Sequence, residues 1–313
     1  MEVETPKIKN YDLELIISNN DKYPELNKET YPLAMKIQEK GVNVILTPLF
    51  WPRDSLFFHE DNTFTLVNPN NEDQVKHAPH WGWWGGAYLL GKNFIIEEAS
   101  GIPSKRELTN RALGVEKGIY VDTKPFYEDF KNISVSGNLD FYKKDLVHID
   151  PYFNLGNFKK MIFAWNTSKL KKEGKRLSNE TGYDLAILPL KEAKFAAIGF
   201  IELGDHMVVD CRAEQTMKLL EEIGYNIIST PNPLVEVNKI HGSLRCITKE
   251  TPAIKDRMKF HSFLNGYDLE GPAYGSIFGN LEGHMMVMNN QKTRKLREPL
   301  FPKNLYPDLK IRK

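Results

Sequence analysis

Apolar residues along this chain come in short bursts, each closed by a glycine or a proline, and the bursts repeat. A Gly followed seven residues later by Pro brackets an extended apolar stretch. Gly41-Val-Asn-Val-Ile-Leu-Thr-Pro48 and Gly224-Tyr-Asn-Ile-Ile-Ser-Thr-Pro231 are nearly the same octapeptide. Gly182-Tyr-Asp-Leu-Ala-Ile-Leu-Pro189 is a third copy, and Gly118-Ile-Tyr-Val-Asp-Thr-Lys-Pro125 a weaker fourth. Ahead of the two clearest copies, Tyr31 to Lys40 and Gln215 to Ile223 place apolar residues at helical spacing. Gly is the left-handed residue that ends a helix, and Pro stops the strand that follows. Each copy therefore predicts helix, glycine, buried strand, stop. A further strand is predicted from Phe195 to Leu203, then a turn at Gly204–Asp205 and a strand from Met207 to Val209.

The copies are too irregularly spaced for a solenoid and predict a closed ring of ββαβ-like modules carrying loop insertions. No linker rich in Gly, Ser or Pro divides them, so residues 1–313 read as one domain. Residues 291–313 hold eight basic against two acidic residues, with Pro299, Pro302 and Pro307. They read as a basic, irregular tail, either solvated or docked on an acidic partner.

Charge and composition then exclude whole classes of function. Lys plus Arg (42) nearly equals Asp plus Glu (41), which leaves no charge footprint for nucleic acid or an anionic membrane. No apolar run approaches the ~20 residues of a membrane span. The polar N-terminus lacks the apolar core of a secretory signal. Two cysteines, Cys211 and Cys246, cannot build a disulfide framework and fit a reducing cytoplasm. Gly86-Ala-Tyr-Leu-Leu-Gly91-Lys92-Asn93 approaches a phosphate-binding loop, but Asn93 replaces the hydroxyl that would hold magnesium. His77 and His80 have no further ligand nearby to complete a zinc site.

The segments after the repeated strands carry the candidate chemistry. They are Pro52-Arg53-Asp54, His148-Ile-Asp150 with Phe153-Asn154, and Gly242 through Cys246-Ile-Thr248. In an extended segment His148 and Asp150 point the same way. Each also has a structural explanation: Arg53–Asp54 as an ion pair, His148 as a satisfied core histidine, Cys246 as core filler.

Taken together, these motifs and the ladder Met207-Val-Val-Asp210 through Gly224 to Pro231 resemble the guanidino-group-modifying superfamily. It comprises arginine deiminases, dimethylarginine dimethylaminohydrolases, agmatine deiminases and amidinotransferases. The resemblance implies the pentein fold, an α/β propeller of five ββαβ modules about a pseudo-fivefold axis with a central active site. It implies a small guanidino or amidino substrate, no cofactor or metal, and a homodimer as a common assembly. Cys246 matches the nucleophile and His148 the acid/base, while Asp54 and Asp150 match the carboxylates that hold the guanidinium.

Two positions depart from the family pattern. In the stretch around Trp84-Gly85-Gly86-Ala87 the glycines match the family motif, but Trp84 stands where its catalytic acid belongs. Indole offers a cation–π face and cannot accept a proton. Asp61, Glu97 or Glu98 then takes over as the acid, or the chain binds a guanidino or other cationic ligand without turnover. Arg245 precedes Cys246 where deiminases usually carry His; it either binds a substrate carboxylate or points away from the channel. Arg53 joins the substrate-facing set through its place beside Asp54.

Overall fold

The computed structural model describes residues 13–19, 23–47, 51–58, 64–66, 86, 88–99, 117–137, 142, 148–240, 242–252 and 286–287. The chain opens with β1 (Leu13–Ser18), α1 (Pro24–Glu39) and β2 (Asn43–Thr47). The short helix α2 (Pro52–Ser55) leads into β3 (Leu56–Phe58) and β4 (Phe64–Leu66). Then come β5 (Tyr88–Leu90), β6 (Phe94–Glu98), β7 (Lys117–Val121) and the single turn α3 (Tyr127–Phe130). A third group holds β8 (Phe153–Gly156), β9 (Met161–Trp165), α4 (Ser168–Thr181) and β10 (Asp184–Leu188). A fourth holds β11 (Ile201–Leu203), β12 (His206–Val209), α5 (Glu214–Ile223) and β13 (Asn226–Ser229). Last are α6 (Val235–Lys239), β14 (Thr248–Pro252) and β15 (Met286–Val287).

The described strands form five three-stranded sheets. Four share one plan, an antiparallel pair whose central strand continues, through a crossover, into a parallel neighbour. These are β5–β6–β7, β8–β9–β10, β11–β12–β13 and β14–β1–β2. The crossovers of β9–β10, β12–β13 and β1–β2 are α4, α5 and α1, each packed on its sheet. In the last unit the antiparallel strand arrives from far along the chain, with Ile17 opposite Thr248. That closure sets Cys246 two residues ahead of β14, which lies against β1. The fifth sheet, β15–β4–β3, is wholly antiparallel.

The helix–glycine–strand expectation holds at three copies. Gly41, Gly182 and Gly224 have φ of +90°, +72° and +96°, values that L-residues adopt only at a cost. Gly118 instead sits inside β7, paired with Ile95. Nothing lies within 4 Å of a Cβ built on Gly182, so a side chain there meets backbone strain alone. Gly182→Ala should lower the unfolding free energy by about 1 kcal/mol and Gly182→Asn by less, read by urea denaturation.

Two segments differ from the sequence reading. α1 starts seven residues before Tyr31 and carries Pro32 inside it. Proline removes the bond to the carbonyl four residues back, and that carbonyl, Lys28 O, accepts instead from Asn232 Nδ2 at 3.1 Å. The expected strand from Phe195 shortens to Ile201–Leu203. Ahead of it two 3₁₀ turns, Leu190–Phe195 and Ala197–Gly199, meet at Ala196, whose φ is +52°. The carbonyls of Ile198 and Phe200 accept from Asn154 Nδ2 (2.7 and 2.8 Å), and Gly199 O accepts from Arg245 N (2.9 Å). Those acceptors hold up the site described next rather than a sheet ladder.

The core has two clusters of buried residues. One surrounds the fully buried β9, with Phe163 and Trp165; the other joins α1 and β1 to β12, β13 and α6. Among the described residues, no helix is long and apolar enough to cross a membrane.

Candidate active site

Cys246 lies in the turn between Gly242 and β14, partly exposed to solvent. Its amide donates to Ser243 O (3.0 Å), and its thiol is 3.5 Å from the Ser243 hydroxyl. Glycines allow the turn to pack this closely. A Cβ on Gly242 would come within 2.4 Å of the Trp51 ring, and one on Gly199 within 2.4 Å of Ser243 Cβ. Ser18 N donates to Ile247 O (2.9 Å) and ties the turn to β1.

His148 and Asp150 come from a turn rather than an extended segment, and still face each other. Gly86 O accepts from both Ile149 N (2.6 Å) and Asp150 N (3.2 Å). The turn leaves His148 Nδ1 3.6 Å from Asp150 Oδ1. Any side chain on Gly86 would collide with this pair, since its Cβ would lie 2.4 Å from His148 Nδ1 and 2.6 Å from Asp150 Oδ1. The described carboxylate beside His148 is therefore Asp150, only 5% exposed.

Arg245 links the two halves. Its guanidinium donates from Nη1 to Asn154 Oδ1 (3.2 Å), and its Nε lies 3.9 Å from Asp150 Oδ2. Arg53, buried in α2, donates from Nε to Arg245 O (2.6 Å) and from Nη2 to Glu250 Oε2 (2.5 Å). Residues 53, 86, 148, 150, 154, 245 and 250 are thus linked in one network, with Cys246 next to Arg245 in the chain. Burial alone would push the Glu250 carboxyl up, but the Arg53 and then the Arg245 guanidinium hold it below the ordinary carboxylate range. Burial works against the Arg53 charge, and Glu250 more than restores it. Arg245 is pulled below its ordinary value by burial and then by Arg53.

Glu250 was not among the sequence candidates. It stands two residues after Thr248 on β14, and the i, i+2 spacing of a strand, which puts the two on one face, is the signal that points to it. Asp54 belongs to α2, but its side chain lies outside the described residues, as do Asp61, Trp84 and the tail 291–313. Glu97 and Glu98 are both buried in β6. Glu98 accepts from Thr123 Oγ1 (3.3 Å), while Glu97 stands opposite Tyr88 in β5, the strand that follows Gly86. Among the described residues, no group of three His, Cys, Asp or Glu is arranged to hold a metal ion.

The architecture is shared with solved guanidino-modifying enzymes of the pentein fold. One is a dimethylarginine dimethylaminohydrolase variant solved as an adduct with S-methyl-L-thiocitrulline. It is 11% identical with a TM-score of 0.54, over 76% of this chain and 99% of the other. Another is the product-bound N-terminal domain of ArgZ, an arginine dihydrolase of the ornithine–ammonia cycle in cyanobacteria. It is 13% identical with a TM-score of 0.52, over 78% of this chain and 99% of the other. A mutant of AgrE in complex with L-arginine is also 13% identical, with a TM-score of 0.51, over 78% of this chain and 41% of the other. Likeness at these identities is likeness of fold. No protein-family model and no curated protein matches the sequence.

Proposed function

We propose that this chain is a guanidino- or amidino-modifying enzyme that works through a covalent intermediate on Cys246. Its five sheets are read as the five modules of a single pentein domain about a pseudo-fivefold axis, in a cytoplasmic protein. The Cys246 thiolate adds to the planar carbon of the substrate, and the amine leaves with a proton from His148. His148 then takes a proton from water or an incoming amine, which attacks the carbon and releases the sulfur. Water gives a hydrolase or deiminase, and an amine acceptor gives an amidinotransferase. Asp150 orients His148 and, with Asp54, holds the planar group. Trp84 is assigned to its face.

The observation that carries this reading is the network joining the Cys246 turn to the His148–Asp150 pair through Arg245, on this fold. Labelling with 2-chloroacetamidine, a planar cation whose chloride is displaced by a thiolate, tests it. Peptide mass mapping should find the label on Cys246 well before Cys211, and Cys246→Ser should remove it. Equal labelling of the two cysteines, both partly exposed, would overturn the assignment.

The second reading is a binding protein without turnover. Trp84, in place of the family acid, favours it.

A further inference from the structure

Among the described residues, the hydrogen-bond partner of the Ser243 hydroxyl is the Cys246 sulfur, 3.5 Å away. Ser243 is only 5% exposed, and buried hydroxyls are bonded as a rule. A hydroxyl donates or accepts, a thiol does both weakly, and a thiolate can only accept. Once the Cys246 sulfur carries charge, the Ser243 O–H is therefore the donor.

Three elements hold this pair in place. Asn238 Nδ2 in α6 donates to Gly242 O (2.9 Å), and Gly242 N donates to Val237 O (3.0 Å), so the turn starts from a fixed point. Ser243 O accepts from Cys246 N (3.0 Å) and Ile247 N (3.4 Å), which folds residue 246 back toward residue 243. On the other side, a Cβ on Gly199 would lie 2.4 Å from both Ser243 Cβ and Oγ, so only glycine leaves room for this hydroxyl. Gly199 O in turn accepts from Arg245 N (2.9 Å).

We propose that Ser243 is a further catalytic residue, whose hydroxyl donates to the Cys246 thiolate. This rests on the reading of Cys246 as the nucleophile of the site. The hydrogen bond favours the charged sulfur over the neutral thiol and raises the share of reactive protein at neutral pH. When the sulfur attacks, its electron pair becomes the S–C bond, its charge is lost and the hydrogen bond weakens. When water or an amine later displaces the sulfur, the C–S bond breaks, the pair returns to sulfur, and the O–H again stabilises the charge. Ser243 keeps its own proton throughout; His148 carries the protons that move.

Among the described residues, the charged groups of the site are paired with one another. Arg53 on α2 meets Glu250 on β14, Arg245 meets Asp150 at 3.9 Å, and His148 meets Asp150 at 3.6 Å. On α6, Lys239 meets Glu236. Arg245, although next to Cys246 in the chain, directs its guanidinium to Asn154 and Asp150. A neutral donor also suits the substrate class. It stabilises the thiolate without adding a positive charge beside a guanidinium or amidinium.

The pH profile of Cys246 alkylation by 2-chloroacetamide tests this. The reagent is neutral, and the sulfur–carbon bond forms as chloride leaves. Peptide mass mapping assigns each rate, with Cys211 as the internal reference. Losing one hydrogen bond to a charged sulfur should move the Cys246 midpoint up by about one pH unit in Ser243→Ala. A thiolate freed of its donor is the better nucleophile, so the plateau above the midpoint should rise about threefold. The two profiles therefore cross: wild type reacts about threefold faster well below both midpoints, and Ser243→Ala about threefold faster well above them. Ser243→Gly should behave alike, and the Cys211 profile should be the same in all three proteins. A variant that is slower at every pH with an unmoved midpoint reduces the hydroxyl to a prop of the turn and overturns the proposal; superimposable profiles do the same. A wild-type midpoint at or above that of an ordinary thiol, ~8.5, overturns it whether or not either variant folds. If 2-chloroacetamidine labels wild-type Cys246 no faster than Cys211, the nucleophile assignment falls and the proposal falls with it. Selective labelling of Cys246 together with any of the contrary profiles rejects the proposal alone.

Discussion

Exchanging Arg53 for Met should lower the unfolding free energy by about 3 kcal/mol, the lower end of what breaking a buried ion pair costs. Arg53 is only 6% exposed, and its guanidinium serves both Glu250 and the Arg245 carbonyl. Removing it strands a carboxylate inside the site network. The Glu250 side chain is 23% exposed, so water relieves part of the cost. The pH dependence carries its own signature. A carboxyl held below its unfolded value contributes stability that is present above that value, ~4.3, and lost as the pH falls through the folded one. Wild-type protein should therefore lose stability in acid below about pH 4, and Arg53→Met should flatten this part of the profile. Urea unfolding at neutral pH and through the acid range measures both.

Exchanging His148 for Asn should lower turnover by about 10²–10⁴, the usual worth of a positioned acid/base group. The assay is turnover of a panel containing arginine, agmatine and methylarginines. Asn is close in shape and cannot shuttle the proton, so Cys246 should still take the chloroacetamidine label. Loss of labelling with turnover would instead assign His148 to the structure of the turn. Trp84→Glu separates enzyme from binding protein. A wild-type chain that is labelled without turnover, and gains turnover on Trp84→Glu, is a decayed or repurposed enzyme. Robust wild-type turnover that disappears on mutating Glu97, Glu98 or Asp61 places the acid elsewhere.

The repeat was legible in the sequence because it is local. A left-handed glycine after a helix and a short buried strand leave residue-level marks at Gly41, Gly182 and Gly224. The features that depart from the local pattern are set by non-local contacts. α1 runs through Pro32, and the Lys28 carbonyl that Pro32 frees accepts from Asn232, more than two hundred residues away in sequence. The Ala-rich stretch before Ile201 has the composition of a strand, but its carbonyls are committed to Asn154 and Arg245. The site was legible as motifs and not as partners. Nothing in Arg53-Asp54 indicates that Arg53 turns to Glu250, and nothing in Arg245-Cys246 indicates a guanidinium facing Asp150. Those pairings follow from β14 lying against β1, a contact between distant segments that no local pattern encodes.

The central claim is that Cys246 and the His148–Asp150 pair share one site for a planar nitrogenous group. A crystal structure of the protein alkylated by 2-chloroacetamidine tests this most directly. The account predicts the amidine attached to the Cys246 sulfur, with a nitrogen about 3 Å from a carboxylate oxygen of Asp150 and the His148 ring beside it. An adduct that projects into solvent, with the sulfur more than roughly 8 Å from every His148 ring atom, too far for even one bridging water, would contradict it.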